Sequence, residues 1–517
     1  MQQEHNHRHA EPAAPVSRRE FVQTAMAASA MAAAGLQVQA RAAEPKSAMA
    51  DVLVGIHIAA HSFYDEGIDR CLDYLHETAA VNTLLVTSNS YYGAMFRPKE
   101  VQADHGMGVR DGRGRRVTKL WIRPREENYR DTILRHKLPA PDLEYAGKEV
   151  FADLAEPARR RGMQIHERLY EPGGIEVAQS IENWEKVLTI DLFGEYGNKP
   201  CWNNPQYLAW ITACITDLFR SYPIDGIQFG AERNGPLSRL IDWPQAVPTC
   251  FCEHCRMRAA KEGVGFDRAK AGLEKMNALI QSLRKGGDAG MDGPLVAFLR
   301  LLMEYPEILA WESMHYRASE DLHKLIRETA RSVNPKAHVG RHIDHAQSSW
   351  DFLFRAGLPY ARMAEASDYL KISTYKDIFG PRLKTAVQRY QKHILGQFTP
   401  EQTLELFYTL LELDPQQEPP IDELNRTGLS PEYVYRETKR AVEAVAGKAD
   451  VYAGIALDVP RGGDWGTEVW PSDPVSVAES VQRAFDAGAN GIVVCREYEE
   501  NRTESLRAVG RAVRERS

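Results

Sequence analysis

A glutamate that follows an apolar segment is the residue of this chain best suited to acid–base chemistry. Only Gly230 and Ala231 separate Glu232 from the apolar segment 224–229. Burial raises the pKa of a carboxyl group, so a glutamate at the end of a buried strand can remain protonated and act as a general acid. We therefore predict that Glu232 is a catalytic acid/base.

A second carboxylate would complete one chemistry that such a glutamate can serve. Cleavage of a glycosidic bond needs one carboxylic acid on the leaving oxygen and one carboxylate facing the anomeric carbon. Asp458 follows the apolar segment 451–457 and is our candidate for the nucleophile or stabilising carboxylate. Glu497 and Glu167 are the reserve candidates for this second role.

The scaffold that positions these residues is visible as eight apolar segments that alternate with helical patterns, as in βαβ folds. Most are apolar throughout, as expected for parallel strands that are buried on both faces. No Gly-x-Gly-x-x-Gly motif follows the first segment, which argues against an open doubly wound sheet. The sequence therefore predicts a closed (β/α)₈ barrel, the TIM-barrel fold, over residues 50–517. The predicted strands are 52–59, 81–87, 163–166, 224–229, 338–342, 369–373, 451–457 and 491–494.

The predicted barrel is longer than the fold requires. A bare barrel of this type takes about 250 residues, whereas the chain has 517. The longest predicted connections run from Glu232 to Ala337 and from Tyr375 to Asp450. We therefore expect large insertions after strands 4 and 6.

Polar residues are concentrated where the predicted strands end. Active sites of (β/α)₈ barrels are built at the C-terminal ends of the strands, and so many ionisable groups there indicate that this end binds a polar small molecule. Structural ion pairs at the bases of loops are the alternative explanation for any single residue. We assign to substrate binding Glu167, His342, Asp344, Tyr375, Arg496 and Glu497.

The segment 200–255 carries a more specific pattern. It begins with Cys-x-Asn-x-Pro-x-Tyr at 201–207, continues through the strand that precedes Glu232, and ends with Cys-x-Cys-x-x-Cys at 250–255. In this order it resembles the barrel of glycoside hydrolase family 42 β-galactosidases and related hypothetical glycosyl hydrolases. The resemblance implies a hydrolase that acts on a carbohydrate, needs no organic cofactor and uses Glu232 as its acid/base.

Two positions depart from the family pattern. The family has an asparagine directly before the acid/base glutamate, where this chain has Ala231. The family nucleophile is a glutamate at the end of strand seven, where the nearest carboxylate of this chain is Asp458. The family's β-galactosidase specificity therefore does not carry over.

The resemblance also implies a structural zinc site. Its ligands would be Cys201, Cys250, Cys252 and Cys255. Four thiolates form a closed tetrahedral site that has no open position for catalysis. One or two disulfides, or free thiols, are the alternatives for these residues.

The first 42 residues resemble a twin-arginine export signal. Arg18 and Arg19 precede a small-residue apolar run from 24 to 36, and Ala40-Arg41-Ala42 provides a cleavage site of the A-x-A type. We expect removal of residues 1–42 and a periplasmic or secreted mature protein.

Composition and charge restrict the remaining function classes. A formal net charge of -7 argues against a nucleic-acid partner, and no apolar run is long enough to span a membrane. One alternative is a metal-dependent sugar isomerase or epimerase, with Glu167, His342, Asp344, His345 and Glu497 as oxygen and nitrogen ligands. A further alternative is a barrel that binds carbohydrate without catalysis.

Overall fold

The structure is a computed structural model that describes residues 52–91, 104–105, 115–174, 177–243, 245, 247–461, 468–469 and 471–516. The twin-arginine leader at 1–42 lies outside these described residues. Among the helices of the described part, none is long and apolar enough to cross a membrane.

Eight parallel strands close into a barrel, which confirms the predicted fold class. Each strand pairs with its neighbours in chain order, and the last strand returns to the first with Leu53 opposite Gly491. The strands are β1 (Leu53–Ile58), β2 (Thr83–Val86), β3 (Gln164–Tyr170), β4 (Gly226–Gly230), β5 (His338–Ile343), β6 (Tyr369–Ser373), β7 (Asp450–Ala456) and β8 (Gly491–Cys495).

Helices occupy the connections between the strands. The longest is the 27-residue helix that leads into β5. The helices are α1 (Ala60–Glu66), α2 (Ile68–Ala79), α3 (Val150–Arg160), α4 (Val177–Ser180), α5 (Pro205–Ser221), α6 (Pro236–Asp242), α7 (Glu253–Glu262), α8 (Phe266–Arg284), α9 (Gly293–Glu304), α10 (Glu307–Val333), α11 (Phe352–Gly357), α12 (Tyr360–Met363), α13 (Lys376–Gln391), α14 (Pro400–Leu410), α15 (Leu424–Thr427), α16 (Pro431–Val445), α17 (Pro474–Asp486) and α18 (Thr503–Arg514).

The connections after β4 and β6 are rich in helices. Helices α6 to α10 lie between β4 and β5, and α13 to α16 lie between β6 and β7. Their apolar faces form a second hydrophobic cluster that includes Leu273, Trp311, Phe379 and Tyr433. The connection from β2 to β3 also exceeds 70 residues, although the sequence analysis did not identify it as an insertion.

Side chains inside the barrel change from aromatic to polar along the strands. Near the N-terminal ends, the ring of Tyr369 lies 4.7 Å from that of His338 and 4.8 Å from that of Tyr452, between ring centroids. Further along the strands, the inward positions are His342, four residues after His338 on β5, and Lys371, two residues after Tyr369 on β6, and these two residues pair in register. Alternate residues of a strand share a face, so these polar side chains also point into the barrel. They are near the C-terminal ends of their strands, and the polar layer therefore lies directly beneath the barrel mouth.

Candidate functional site

Glu232 lies just after β4, and the side chain of His342 from β5 holds it. The Nε2 atom of His342 is 3.1 Å from Oε1 of Glu232. The Glu232 side chain is 25% exposed, whereas that of His342 is 2% exposed. The carboxylate therefore reaches solvent while one of its oxygens is fixed from within the barrel.

His342 is itself held by a buried lysine on the adjacent strand. The ammonium of Lys371 lies 3.3 Å from Nδ1 of His342 and 3.3 Å from Oγ of Ser373, and it also contacts the hydroxyl of Tyr375. Burial lowers the pKa of His342 to about 4, and Lys371 lowers it further while Glu232 opposes the change. The imidazole is therefore neutral at physiological pH.

A glycine on β7 provides the space for this arrangement. A Cβ atom on Gly454 would lie 2.8 Å from Cε of Lys371 and 2.7 Å from the ring of Tyr375. Carbon atoms do not approach so closely without displacement. Tyr375, which we expected to bind substrate, thus lies at the barrel mouth as a neighbour of Lys371.

A second carboxylate approaches the mouth from the end of β8. Glu497 forms an ion pair with Arg168 of β3, with a distance of 2.7 Å between Nη1 and Oε1. Its side chain is 13% exposed. Burial raises the pKa of Glu497, and the guanidinium of Arg168 opposes that rise. The ion pair therefore favours the charged carboxylate.

Tyr170 is influenced by the charges of both carboxylates. Its ring packs against that of His342, with centroids 5.4 Å apart, and the guanidinium of Arg168 lies 4.8 Å from its centroid. Burial raises the pKa of Tyr170, and both Glu232 and Glu497 contribute to the rise through their charges, whereas Arg168 opposes it. Both carboxylates therefore act on the same hydroxyl group, from β4 and from β8.

Asp344 and Arg496 also lie at the strand ends, with partners of their own. A carboxylate oxygen of Asp344 is 3.9 Å from Nη1 of Arg382 and 4.0 Å from Nδ1 of His345. The guanidinium of Arg496 is 3.4 Å from a carboxylate oxygen of Glu500. These two expected substrate-binding residues flank the mouth rather than contact Glu232.

Glu167 lies on the outer face of β3, away from the mouth. It is fully buried, and its two carboxylate oxygens accept hydrogen bonds from the amide and hydroxyl of Ser88, at 2.9 and 2.8 Å. Burial raises its pKa to about 8, although the bonds from Ser88 oppose the rise. Because adjacent strand residues point to opposite faces, Arg168 takes the inward position that we expected Glu167 to fill.

Asp458 follows β7 as expected, but its contacts are structural. Its carboxylate accepts hydrogen bonds from the amide of Ser472 at 2.9 Å, the hydroxyl of Ser505 at 3.0 Å, and both the amide and Nε of Arg502 at 2.8 and 3.1 Å. The side chain is 0% exposed. These contacts join β7 to the start of α18 and do not favour the nucleophile role that we expected for Asp458.

The sequence analysis assigned no role in the site to Arg168, Tyr170 or Lys371. The signal for the first two was the period-two pattern of β3, in which His166, Arg168 and Tyr170 share one face. The role of Lys371 depends on the pairing of Lys371 with His342 between two strands. The strand-to-strand register that creates this pair is not encoded locally in either segment.

The four cysteines come together as predicted. Their sulfur atoms all lie within 4.8 Å of one another, and Sγ of Cys201 is 3.4 Å from that of Cys252 and 3.6 Å from that of Cys255. Four thiolates at a Zn–S distance of about 2.3 Å lie about 3.8 Å apart in a tetrahedron. The group has the donor type, number and spacing that a metal ion such as zinc requires.

A stacked pair connects this cysteine cluster to the barrel mouth. Trp202 follows Cys201, and the guanidinium of Arg233, next to Glu232, lies 3.8 Å from its ring centroid. Arg233 also donates to a carboxylate oxygen of Glu171 at 2.9 Å, and the indole of Trp202 bonds the same carboxylate. The cluster therefore holds the segment that carries Glu232.

Among the described residues, the ligands of the isomerase or epimerase alternative do not form a group that could share one metal ion. Within the described part of the chain, the four cysteines are the only group of three or more potential metal ligands that are close enough to share an ion. Glu167 bonds Ser88, His342 bonds Glu232, and Glu497 pairs with Arg168.

Comparisons with known proteins agree on the fold. No protein-family model matches the chain, and no curated protein matches its sequence. A polyextremophilic β-galactosidase from the Antarctic haloarchaeon Halorubrum lacusprofundi has a similar structure, with 12% identity and a TM-score of 0.50. The match covers 90% of this chain and 58% of that chain, so this chain spans less than two thirds of that protein.

Two further solved structures are similar at lower scores. The PgaB (BpsB) glycoside hydrolase domain from Bordetella bronchiseptica is 12% identical over 86% of this chain and 94% of that chain, with a TM-score of 0.46. A β-galactosidase from the psychrophilic Marinomonas ef1 is 9% identical over 90% of this chain and 59% of that chain, with a TM-score of 0.48. At such identities the likeness concerns the barrel fold alone.

Proposed function

We propose that this protein is a glycoside hydrolase that acts on a carbohydrate substrate at the mouth of its barrel. The observation that carries the proposal is the placement of Glu232, which is partly exposed after β4 and fixed through Oε1 by the neutral imidazole of His342. A fixed and partly desolvated carboxyl group at this end of the barrel is suited to protonate a leaving oxygen.

Glu497 is the second carboxylate of the proposed mechanism. Its ion pair with Arg168 favours the charged form, and both Glu497 and Glu232 act on Tyr170. A carboxylate facing the anomeric carbon stabilises the oxocarbenium character of the transition state, either as the nucleophile or through an activated water. In the sequence analysis Asp458 was the candidate for this role and Glu497 was held in reserve. The structural contacts of Asp458 favour Glu497 instead.

The cysteine cluster fits a structural Zn²⁺, which we propose as its ligand. When bound, zinc would fix the cluster in the folded chain and supply no open coordination position for the reaction. Cys201 would thereby anchor Trp202, whose ring stacks with Arg233 beside Glu232. The proposed role of the ion is thus to help position Glu232, and Glu232 itself transfers the proton.

The site of action that we propose is outside the cytoplasm, because the leader carries the twin-arginine pattern at Arg18 and Arg19. The family 42 resemblance supports the position of the acid/base. Ala231 replaces the family asparagine, so galactose specificity is not part of the proposal.

Paired variants and two kinds of substrate test the catalytic assignment. Glu232→Gln should lower the rate on an unactivated glycoside by about 10²–10⁴-fold, and much less on an aryl glycoside whose leaving group needs no proton. Glu497→Gln should impair both substrates. Asp458→Asn is the matched control, because its folded fraction should retain its activity on both.

The anomer of the product and two negative results test the proposal further. The anomer formed first, read by NMR, distinguishes retention from inversion. Full activity of Glu232→Gln on the unactivated glycoside would contradict the acid assignment. No turnover by the wild-type protein on a broad panel of natural and aryl glycosides would contradict the hydrolase proposal and favour a binding barrel.

A further inference from the structure

The buried lysine beneath the site makes three polar contacts that match its chemistry. An ammonium group has three N–H donors and no acceptor. The Nζ atom of Lys371 contacts Nδ1 of His342, Oγ of Ser373 and the hydroxyl of Tyr375. Because the ammonium can only donate, Nδ1 of His342 must accept in its contact with Lys371.

This contact determines which nitrogen of His342 carries the proton. A neutral imidazole has one N–H and one acceptor nitrogen. If Nδ1 accepts from Lys371, then the proton is on Nε2, which is 3.1 Å from Oε1 of Glu232. The imidazole therefore donates to Oε1, and the acid form of Glu232 carries its own proton on Oε2.

We propose that Lys371 is a positioning residue for acid catalysis, which fixes His342 in the Nε2–H tautomer so that this group holds Oε1 of Glu232. The effect on catalysis rests on the proposed function, whereas the tautomer of His342 does not. Lys371 acts on His342, and His342 in turn acts on the reaction through Glu232.

The groups around the pair support this arrangement. His57 of β1, Arg168 of β3 and Cys495 of β8 face Lys371 and His342 from the other strands, and His345 lies beyond the end of β5. Burial lowers the pKa of Lys371, while Cys495 and Glu232 oppose that change and Arg168 adds to it. Arg168 and Lys371 together disfavour a second proton on His342.

Histidine-detected NMR tests the tautomer without any enzyme assay. Selectively ¹⁵N-labelled histidine reports for each ring whether Nδ1 or Nε2 carries hydrogen, and comparison with His342→Gln assigns the resonances of His342. We expect the Nε2–H form in the wild-type protein at pH 7. In Lys371→Met we expect a mixture of tautomers and a pKa of His342 at least about one unit higher, since a nearby positive charge has been removed.

A substitution cycle tests the catalytic consequence. Lys371→Met should lower the rate on an unactivated glycoside by about 10- to 100-fold, which is less than removal of the acid itself, and Lys371→Arg should restore part of it. In the His342→Gln variant, the glutamine amide can donate to Glu232 without help from Lys371. In that background Lys371→Met should therefore lower the rate by less than about twofold. Lys324→Met, on the exposed side of α10, is the matched control.

Two results would overturn the inference. One is a wild-type His342 that is Nδ1–H or doubly protonated at pH 7, which needs no variant to fold. The other is a folded Lys371→Met protein in which the tautomer and the pKa of His342 are unchanged. If the wild-type protein hydrolyses no glycoside, the proposed function fails while the NMR result still decides the role of Lys371.

Discussion

The carboxylate of Asp458 and the guanidinium of Arg502 form a buried ion pair, with 3.1 Å between Oδ1 and Nε. The amide of Arg502 also donates to Oδ2 at 2.8 Å, at the start of α18. An anion at a helix N-terminus is favoured both by the free amides and by the helix dipole. Asp458 thus joins the end of β7 to the last helix of the barrel.

We expect Asp458→Ala to destabilise the fold rather than remove a catalytic group. Loss of one partner of a buried ion pair costs about 3–5 kcal/mol, and the lower value applies because Arg502 is one-fifth exposed. Urea unfolding measures this change. Asp142→Ala, in an exposed pair with Arg116, should change stability by less than about 0.5 kcal/mol. Equal stabilities of the two variants would contradict the structural role of Asp458.

Glu167 should make stability fall as pH rises. Burial raises its pKa in the folded state from 4.5 to about 8, so the unfolded chain loses this proton first. Between those pH values the folded state holds one more proton, and its stability falls by at most about 4–5 kcal/mol. Glu167→Gln should remove this dependence and be more stable than wild type at pH 8.

Unfolding free energies measured from pH 4.5 to 8.5 test this prediction. Glu328→Gln, an exposed substitution on α10, is the control and should keep the wild-type slope. A Glu167→Gln protein with the wild-type slope would show that Glu167 is ionised in the folded state.

The sequence was sufficient for the barrel because its strands are buried on both faces. Such strands appear as continuous apolar runs, and their order follows from the chirality of βαβ units. The position of Glu232 at the end of β4 follows from the same pattern. The four cysteines could also be grouped from the sequence because of the family resemblance.

The side-chain partners depend on contacts that the local sequence does not contain. Asp458 is engaged by residues 14 and 44 positions away, Ser472 and Arg502. Lys371 reaches His342 through a register between two strands. The alternation of inward and outward side chains along a strand could have distinguished Glu167 from Arg168, since only one of two adjacent residues faces the interior.

Export should depend on the two leader arginines. With Arg18 and Arg19 both replaced by lysine, we expect an uncleaved precursor in the cytoplasm, because the twin-arginine pattern is lost while the apolar run is kept. Fractionation and mass spectrometry of the N-terminus measure this. Substitution of Arg8 by lysine, outside the pattern, should leave export unchanged. Normal export of the double variant would contradict the signal.

Metal analysis should find about one zinc ion per chain. Cys252→Ser should lose the ion and unfold at a lower temperature, because metal binding energy contributes to folding. Cys71→Ala is the matched control, since Cys71 is a buried core residue of α2 outside the cluster. A folded, metal-free protein with the four cluster cysteines oxidised would contradict the zinc assignment.

Arg168 should set the acidic limb of the pH–rate profile. The proposed second carboxylate, Glu497, must be ionised to face the developing positive charge, and its ion pair with Arg168 favours that form. Arg168→Met removes the positive charge but keeps an apolar side chain of similar length. Burial then raises the pKa of Glu497 with only Arg496 left to oppose the rise, so the rise of kcat/KM with pH should begin at a higher pH than in the wild-type protein.

The conservative variant separates this effect from a loss of packing. Arg168→Lys keeps the charge and should leave the acidic limb close to its wild-type position, even where the lost guanidinium geometry lowers the rate. The basic limb, which reports deprotonation of the acid Glu232, should move less in Arg168→Met, because His342 and not Arg168 bonds that carboxyl group. If both limbs of Arg168→Met coincide with those of the wild-type protein, Glu497 is not the carboxylate whose ionisation the reaction requires.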